Sequence, residues 1–353
     1  MPELIRPLPI RRRTYRKRPR LLAHYPAVVE FIYSSRFATG FHVRRRFSQY
    51  MASERTAQYQ LASLVQLGYL DTAPVRSTSP NFPYVYFATG RGVRLIGESY
   101  ARLGHRWSQP ATETNRSKGV ALTSIMHELL VTEFDLAVWQ TLSQRTDLQR
   151  LFVERRYFQR DKRLQYSHDG GWQPVIPDSG FLLQMLSQTS GRLGASLLLH
   201  LVELDNGTMP LRRIRQKLEH YDAWARSDEG CEYLRTLYRQ YDHRPKRLNF
   251  RLLIIAHASH SPGGDDRRLA DLLTEAARLP RTMRDRIWLT TATNLRAHQA
   301  DTSCLSSPLW YRAKNAARIQ SLDRTSGPHT GANATTAQRD LATHALFPTP
   351  TND

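Results

Sequence analysis

Cysteine, acidic residues and long apolar runs are all scarce in this chain of 353 residues. Two cysteines, Cys231 and Cys304, exclude a disulfide framework and a cysteine-based zinc cluster. No apolar run approaches the roughly 20 residues of a transmembrane helix. The basic N-terminus is not followed by the apolar segment of a secretory signal. These absences predict a cytoplasmic protein without a membrane partner.

The charge of the chain is mostly positive and is unevenly distributed. It has 51 Lys and Arg against 31 Asp and Glu, a net charge of +20. Through Lys118 there are 20 basic and 6 acidic residues, so the first third alone carries +14. Such an excess predicts nucleic acid as the partner, because each neutralised phosphate releases counterions. The tip, residues 1–24, is either a flexible basic arm on phosphates or a solvated tail without a specific role.

Residues 25–109 show the pattern of three helices followed by a β-hairpin. Pro26 begins the first helix, and a second short helix lies near residues 43–47. Ser53 has the character of an N-cap for the third helix, which Gly68 ends. Two extended stretches flank a turn-rich segment, and one helical turn follows at residues 90–96. This order is typical of a winged helix-turn-helix domain, whose third helix enters the major groove of DNA.

The predicted partner of this domain is double-stranded DNA, recognised by side chains that form bidentate hydrogen bonds with base edges. The alternative is a solvated helix face that packs on a partner protein. The expected DNA contacts are Arg44, Arg45 and Arg46 on phosphates, Arg55, Gln58 and Tyr59 on the third helix, and Arg76 at the wing tip.

A second domain is expected over residues 119–318, after a polar linker at 110–118 and before a disordered tail at 319–353. A long helix at residues 124–142 opens it. Three strands follow at 151–159, 175–186 and 196–205, then helices at 211–224 and 233–241. A strand at 250–257, a helix at 265–278 and a strand at 287–293 complete the pattern. This order predicts an α/β sandwich with a mixed sheet. No G-x-G-x-x-G follows a strand, which excludes a dinucleotide-binding fold.

Three carboxylates occur near strand ends in this second domain. Strand alternation puts Glu203 and Asp205 on one face, and Asp178 belongs to the preceding strand. If the two strands are neighbours, Asp178 and Glu203 converge. Oxygen ligands of this kind suit Mg²⁺ or Mn²⁺, which can polarise a phosphodiester and activate water.

Lys217 lies beside the apolar stripe of the next helix, three residues after Ile214 and four before Tyr221. One interpretation is that its ammonium group extends outward into solvent, as lysines near packed faces do. The other is that it reaches the carboxylates and stabilises charge developing on a scissile phosphate.

Three segments of this second domain resemble a known family. They are PDSGFLL (177–183), HLVELDNGT (200–208) and RRIRQKLEHY (212–221). They resemble the replication-relaxation family of plasmid and mobile-element proteins, and the resemblance covers residues 25–311. That family is similar in turn to the PD-(D/E)XK nuclease superfamily and to plasmid-mobilisation relaxases built on the same core. The resemblance therefore implies a PD-(D/E)XK-like second domain.

The resemblance also implies site residues. Asp178 matches the motif aspartate, Glu203 matches the acidic residue, and both would bind the metal. Asp205 stands where the superfamily has lysine, and Lys217 could supply that function from the helix. The predicted catalytic residues are therefore Asp178, Glu203, Asp205 and Lys217. Either Glu128 or Glu133 would be the acid of the first helix. The available tyrosine nucleophiles are Tyr157, Tyr166 and Tyr221, and nothing in the sequence distinguishes them.

Three hypotheses follow from the sequence. The first is a plasmid or mobile-element protein that binds DNA and nicks it with a metal-bound nuclease core. The second is a catalytically inactive regulator of replication, transfer or transcription that assembles with other replication or mobilisation proteins. The third is a transcription factor whose second domain senses a ligand in an apolar pocket.

Overall fold

The chain divides by packing into two compact units. The computed structural model describes residues 19–73, 83–105, 122–145, 148–153, 164–189, 192–241, 243, 248–258, 263–297 and 310–313. The first unit is Met1–Leu136 and the second is Ala137–Asp353. The expected linker at 110–118 and tail at 319–353 lie outside the described residues, as does most of the basic arm. Within the described ranges, no helix is long and apolar enough to span a membrane.

The first unit contains helices and one small antiparallel sheet. Its elements are α1 (Tyr25–Ser35), β1 (Ala38–Thr39), α2 (Gly40–Arg46), α3 (Glu54–Gln66), β2 (Leu70–Thr72), β3 (Val85–Ala88) and α4 (Gly90–Arg102). The sheet order is β1-β3-β2. The sequence did not predict β1, which is only two residues long, and it predicted a single turn where α4 is a helix of 13 residues.

Local capping explains where the helices of the first unit begin and end. The Ser53 hydroxyl accepts a hydrogen bond from the Thr56 amide at 3.1 Å, which caps α3 as the sequence predicted. Thr39 caps α2 in a reciprocal arrangement with His42. Gly68 has φ of 76°, a left-handed conformation that glycine adopts without strain, and it follows the end of α3. These caps set the start of α2 and α3, and a core that includes Val28, Ile32, Leu61, Leu64 and Leu95 holds the helices together.

The helix α5 (Leu122–Ser143) crosses the division between the units, which falls between Leu136 and Ala137. Its first half packs in the first unit, where Ile125 and Leu129 join a cluster with Phe37 and Phe87. Thr132 donates a hydrogen bond to the Phe37 carbonyl at 3.1 Å. The sequence placed this whole helix in the second domain, and these contacts show that its first half packs with the helices and sheet of the first unit.

The second unit is a mixed α/β structure, as the sequence predicted. Its strands are β4 (Leu148–Val153), β5 (Leu164–His168), β6 (Gly171–Val175), β7 (Ser179–Thr189), β8 (Arg192–Asp205), β9 (Phe250–Ala256), β10 (Ile287–Thr291) and β11 (Tyr311–Arg312). Its helices are α6 (Leu211–Arg226), α7 (Asp228–Arg239), α8 (Gly264–Ala277), α9 (Arg281–Arg284) and α10 (Ala292–Ala297). The main sheet has the order β11-β10-β9-β8-β7-β4. In it, β8, β9 and β10 are parallel and the other pairs are antiparallel.

One face of this sheet packs against helices and forms the main core of the second unit. Leu199 and Leu201 of β8 are fully buried there against Leu218 and Trp224 of α6. The separate hairpin β5–β6 contributes Tyr166 to the same cluster. This packing fixes α6 directly over the end of β8, where the predicted acidic residues lie.

The predicted strand at 175–186 is wrong as a single element. Residues 176–178 separate the end of β6 from the start of β7, because Pro177 has no amide hydrogen to donate to a ladder. The hairpin β5–β6 was not predicted, although Asp169 and Gly170, with φ of 48° and 76°, form the tight turn that joins its strands. The helix α7 begins at Asp228, five residues before the predicted start, because Ser227 caps it.

Candidate functional site

Asp178 and Glu203 lie side by side where β7 begins and β8 ends. The antiparallel pairing of Ser179 with Val202 brings Asp178 next to Glu203. The Asp178 amide donates to the Val202 carbonyl at 2.9 Å, and its carboxylate Oδ2 accepts from the Leu204 amide at 2.8 Å. The two carboxylates therefore converge as expected from the sequence, and the backbone of β8 holds the first of them in place.

Two side chains from α6 hold the carboxylate of Glu203. Lys217 forms an ion pair with Oε2, and the Tyr221 hydroxyl donates a hydrogen bond to Oε1. Lys217 and Tyr221 are four residues apart, so they project from the same side of the helix. Tyr221 is fully buried, whereas the Lys217 side chain is 35% exposed. Of the two interpretations of Lys217, the structure shows the one in which it contacts the carboxylates.

Burial controls the protonation of this cluster. It raises the pKa of Glu203 to about 8, with a further contribution from the Asp178 carboxylate, while Lys217 and the hydrogen bond from Tyr221 oppose the shift. Burial also acts to lower the pKa of Lys217, but the carboxylates of Glu203 and Asp178 outweigh it and the pKa is raised. The pKa of Tyr221 is raised well above its ordinary value by burial and by Glu203. The cluster therefore keeps Lys217 charged and Tyr221 protonated.

Asp205, a predicted catalytic residue, is engaged with a different helix. Arg268 of α8 binds both carboxylate oxygens, with its Nη2 at 3.1 Å from Oδ1. The Gly207 amide donates to Oδ1 at 3.3 Å. The two charged side chains are 10% and 11% exposed. Asp205 thus attaches α8 to the end of β8. No local pattern in the sequence indicates this contact, because Arg268 lies 63 residues after Asp205.

Hydrogen bonds from the protein occupy three of the four carboxylate oxygens of Asp178 and Glu203 in this arrangement. Mg²⁺ requires close to six oxygen ligands in octahedral geometry. Both oxygens of Glu203 accept hydrogen bonds from protein donors, and one oxygen of Asp178 accepts from the backbone. Within the part of the chain that the structure describes, no three or more His, Cys, Asp and Glu side chains are placed to share a metal ion.

The candidates for the first-helix acid lie on α5. Glu128 forms an ion pair with Arg36 at 3.0 Å within the first unit. Glu133 is partly buried on the same helix. The contact of Glu128 gives it a structural function, the attachment of α5 to the loop that follows α1.

The described tyrosine candidates are both buried. Tyr221 is enclosed and donates its hydroxyl to Glu203. Tyr166 is 4% exposed, and its hydroxyl lies 2.7 Å from Nδ1 of His220. Tyr157 lies outside the described residues. A hydroxyl that is buried and hydrogen-bonded is a poor nucleophile for a DNA phosphate, because it can neither reach the phosphate nor ionise readily.

The predicted DNA contacts that the structure describes are at the surface of the first unit. Arg44 is exposed on α2, with Arg45 and Arg46 partly buried beside it. Arg55 and Gln58 are exposed on α3, and Tyr59 is 54% exposed. The Gln58 amide donates to Glu54 at 3.2 Å. Arg76 lies outside the described residues.

A cleft of about 590 Å³ lies between the hairpin β5–β6 and α7 in the second unit. Trp172 and Tyr233 line it together with the carboxylates of Asp228, Glu229 and Glu232. The cleft does not include Asp178 or Glu203. Its lining combines these carboxylates with apolar and aromatic side chains, among them Leu164, Trp224 and Leu237.

Comparison with known proteins gives one match. The model of the replication-relaxation family matches residues 29–235, which extend from α1 into α7. The matched segment includes Asp178, Glu203, Asp205 and Lys217 and ends before Arg268. Searches of curated proteins and of solved structures found no significant match.

Proposed function

Since the chain belongs to the replication-relaxation family, we propose that it is a DNA-binding protein of a plasmid or mobile element, acting in replication or mobilisation. Its first unit is a winged-helix domain that binds double-stranded DNA. The observation that carries this proposal is the exposed polar face of α3, which presents Arg55, Gln58 and Tyr59 and lies in the third of the chain that holds +14. Other replication or mobilisation proteins are its expected partners.

The exposed face of α3 has the chemistry of direct base recognition. Arg55 and Gln58 are the side-chain types that form bidentate bonds with guanine and adenine edges in the major groove. Gln58 donates a hydrogen bond to Glu54, and because both side chains are exposed, Gln58 can exchange this bond for one to a base. Arg44 and its neighbours on α2 would contact phosphates. Such contacts position a protein on DNA without specifying the sequence.

Removal of one side chain from this face tests the proposal. Arg55→Ala should weaken binding to the cognate origin duplex by about 1–3 kcal/mol and reduce the preference over a scrambled duplex. Fluorescence anisotropy at fixed salt measures both affinities. The matched control is Arg94→Ala, an exposed arginine on α4 whose removal changes the charge equally. Equal losses in the two variants on both duplexes would contradict base recognition by α3.

The basic arm gives a second test of the same proposal. Deletion of residues 11–20 should lower the affinity for every DNA sequence and make that affinity less dependent on salt. The slope of the logarithm of the binding constant against the logarithm of the salt concentration should become shallower by about 0.9 for each phosphate that the arm neutralises. Titrations of the intact and shortened chains at several salt concentrations measure that slope. If the two chains bind equally well at low salt, the arm has no function in binding.

DNA nicking is a second candidate function, favoured by the meeting of Asp178, Glu203 and Lys217 at one end of β7 and β8. This set agrees with a PD-(D/E)XK-like core whose lysine has moved to a helix. The competing proposal is an inactive regulator, supported by the occupation of both Glu203 oxygens by Lys217 and Tyr221.

A supercoiled plasmid that carries the cognate origin separates these two candidates. It is incubated with the wild type, Asp178→Asn and Glu203→Gln, with Mg²⁺ or Mn²⁺ in the buffer. Asp228→Asn, at an exposed position on α7, is the control. Nicking by the wild type and the control, but by neither site variant, supports the enzyme. Binding without nicking in all four proteins supports the regulator.

A further inference from the structure

Two large aromatic side chains are exposed at one place on the first unit. Phe41, in the first turn of α2, is 52% exposed, and Tyr84, just before β3, is 59% exposed. The antiparallel register pairs Ala38 with Tyr86 and Thr39 with Val85. Continuing that register places Tyr84 across from Gly40, the residue that precedes Phe41. The two aromatic residues therefore occupy neighbouring backbone positions, at the junction of α2 and β3.

The surroundings of Phe41 are cationic. The guanidinium carbon of Arg45 lies 5.4 Å from the centre of the Phe41 ring, within the range of a cation–π contact. Arg44 is exposed on the same short helix. An exposed apolar surface flanked by arginines is suited to an anionic partner with flat rings rather than to an acidic or purely apolar protein surface.

Folding of the first unit does not depend on the exposed rings. The main core of the unit contains Val43 of α2 but not Phe41, and it contains Tyr86 of β3 but not Tyr84. The start of α2 is fixed by the capping arrangement of Thr39 and His42. The exposed face of the Phe41 ring is therefore available to a binding partner without loss of the core.

We infer that Phe41 and Tyr84, flanked by Arg45, form a stacking platform for DNA bases that have left the double helix. This inference rests on the proposed function, DNA binding by the first unit. In an intact duplex the faces of the bases are covered by their neighbours, so only polar groove edges are offered to a protein. A mismatched or melted segment exposes those faces, and any base can stack on an aromatic ring beside an arginine. The first unit therefore prefers DNA with a melted segment over the same duplex fully paired.

The full-length chain tests this preference with two labelled DNAs that differ only in a central run of mismatched pairs. Fluorescence anisotropy should show tighter binding of the mismatched DNA by roughly 5- to 100-fold. Phe41→Ala and Tyr84→Ala should remove most of this preference while leaving affinity for the paired duplex within about twofold. The control is Tyr50→Ala, whose ring is also exposed but is stacked on His24 at 4.4 Å.

The outcomes separate this inference from the function on which it rests. Equal affinity of the wild type for the two DNAs overturns the stacking platform and leaves duplex binding intact. An equal loss on both DNAs in Phe41→Ala and Tyr84→Ala also overturns it. Failure of the wild type to bind either DNA at modest ionic strength overturns the proposed function itself. Thermal unfolding of each variant confirms that a lost preference does not come from a lost fold.

Discussion

The two units place their charged side chains differently. In the first unit, the predicted DNA contacts such as Arg44 and Arg55 are exposed at the surface. Among the described residues of the second unit, four acidic side chains are buried and each has a basic partner: Glu203 with Lys217, Asp205 with Arg268, Asp222 with Arg226, and Glu275 with Arg215 and Arg278. The exposed arginines of the first unit are available to an external partner, whereas the pairs Glu203–Lys217, Asp205–Arg268 and Glu275–Arg215 join different elements of the second unit.

Because of this difference, a substitution of a charged residue should affect binding in the first unit and stability in the second. Removal of one member of a buried ion pair leaves its partner as an uncompensated charge, so the fold is destabilised. Removal of an exposed arginine changes the free energy of unfolding by no more than about 0.5 kcal/mol, and its effect appears in binding. The ion pair of Arg36 with Glu128 is intermediate, because the arginine is 41% exposed and the glutamate 11%.

The largest expected effect on stability is that of Arg268→Ala. This change leaves Asp205 buried without its bidentate partner, which should lower the free energy of unfolding by about 3–5 kcal/mol. Urea unfolding followed by tryptophan fluorescence reports mainly on the second unit, which contains five of the six tryptophans. Arg267→Ala, at the exposed neighbouring position, is the control and should change stability by less than about 0.5 kcal/mol. Similar effects of the two changes would contradict the comparison.

A smaller loss is expected for Lys217→Met. The pair with Glu203 is broken, but Lys217 is one-third exposed and Glu203 can take up a proton, so the cost should be about 2 kcal/mol near neutral pH. The cost should be greater at high pH, where the carboxyl is forced to ionise without its partner. Urea unfolding at two pH values measures this, with Arg213→Met on the same helix as the exposed control. A cost that is the same at both pH values would show that Glu203 does not titrate in this range.

Glu203→Gln isolates the titration of this buried carboxyl. Its pKa of about 8 in the folded chain is above the ordinary value of 4.5, so the folded state holds the proton more tightly than the unfolded state. Its contribution to stability is therefore complete below about pH 4.5, falls as the pH rises, and is lost above about pH 8. The raised pKa of Lys217 acts only at higher pH and does not affect this window.

The measurement is the free energy of unfolding of wild type and variant across that window. The variant lacks the falling contribution, so its stability relative to the wild type should improve from pH 5 to pH 8. Glu219→Gln, at an exposed position of α6, should run parallel to the wild type. A constant difference between wild type and Glu203→Gln would mean that the carboxyl ionises normally in the fold.

The parts of the structure that could be predicted from sequence are those with local causes. Ser53 caps α3 and Gly68 follows its end because capping and left-handed conformations depend on one or two residues. Strand β8 ends at Asp205 as predicted, since the nearly continuous apolar run of this strand stops there. The convergence of Asp178 and Glu203 could be anticipated because antiparallel neighbours in sequence often pair in space.

The contacts that could not be predicted join residues distant in the chain. Arg268 was missed because its partner Asp205 lies 63 positions earlier, and no local pattern marks an ion pair at that separation. Tyr221 was interpreted as part of an apolar stripe, yet its hydroxyl binds Glu203. The exposure of the Phe41 ring was not predicted either, because whether a single aromatic residue packs in a core depends on its tertiary contacts.

The smallest expected effect is that of salt on the stability of the second unit. Varying the salt concentration also compares the exposed charges of the first unit with the buried pairs of the second. Raising sodium chloride from about 0.1 M to about 1 M shortens the screening length from about 10 Å to about 3 Å, which weakens exposed charges far more than buried pairs. DNA binding should therefore fall by orders of magnitude. The free energy of unfolding of the second unit should change by less than about 0.5 kcal/mol, because Asp205 and Arg268 are screened by protein rather than by solvent. The two quantities are measured by anisotropy and by urea unfolding in the same buffers. If stability falls together with affinity, water reaches the ion pairs of the second unit, and the contrast between external and internal charge no longer holds.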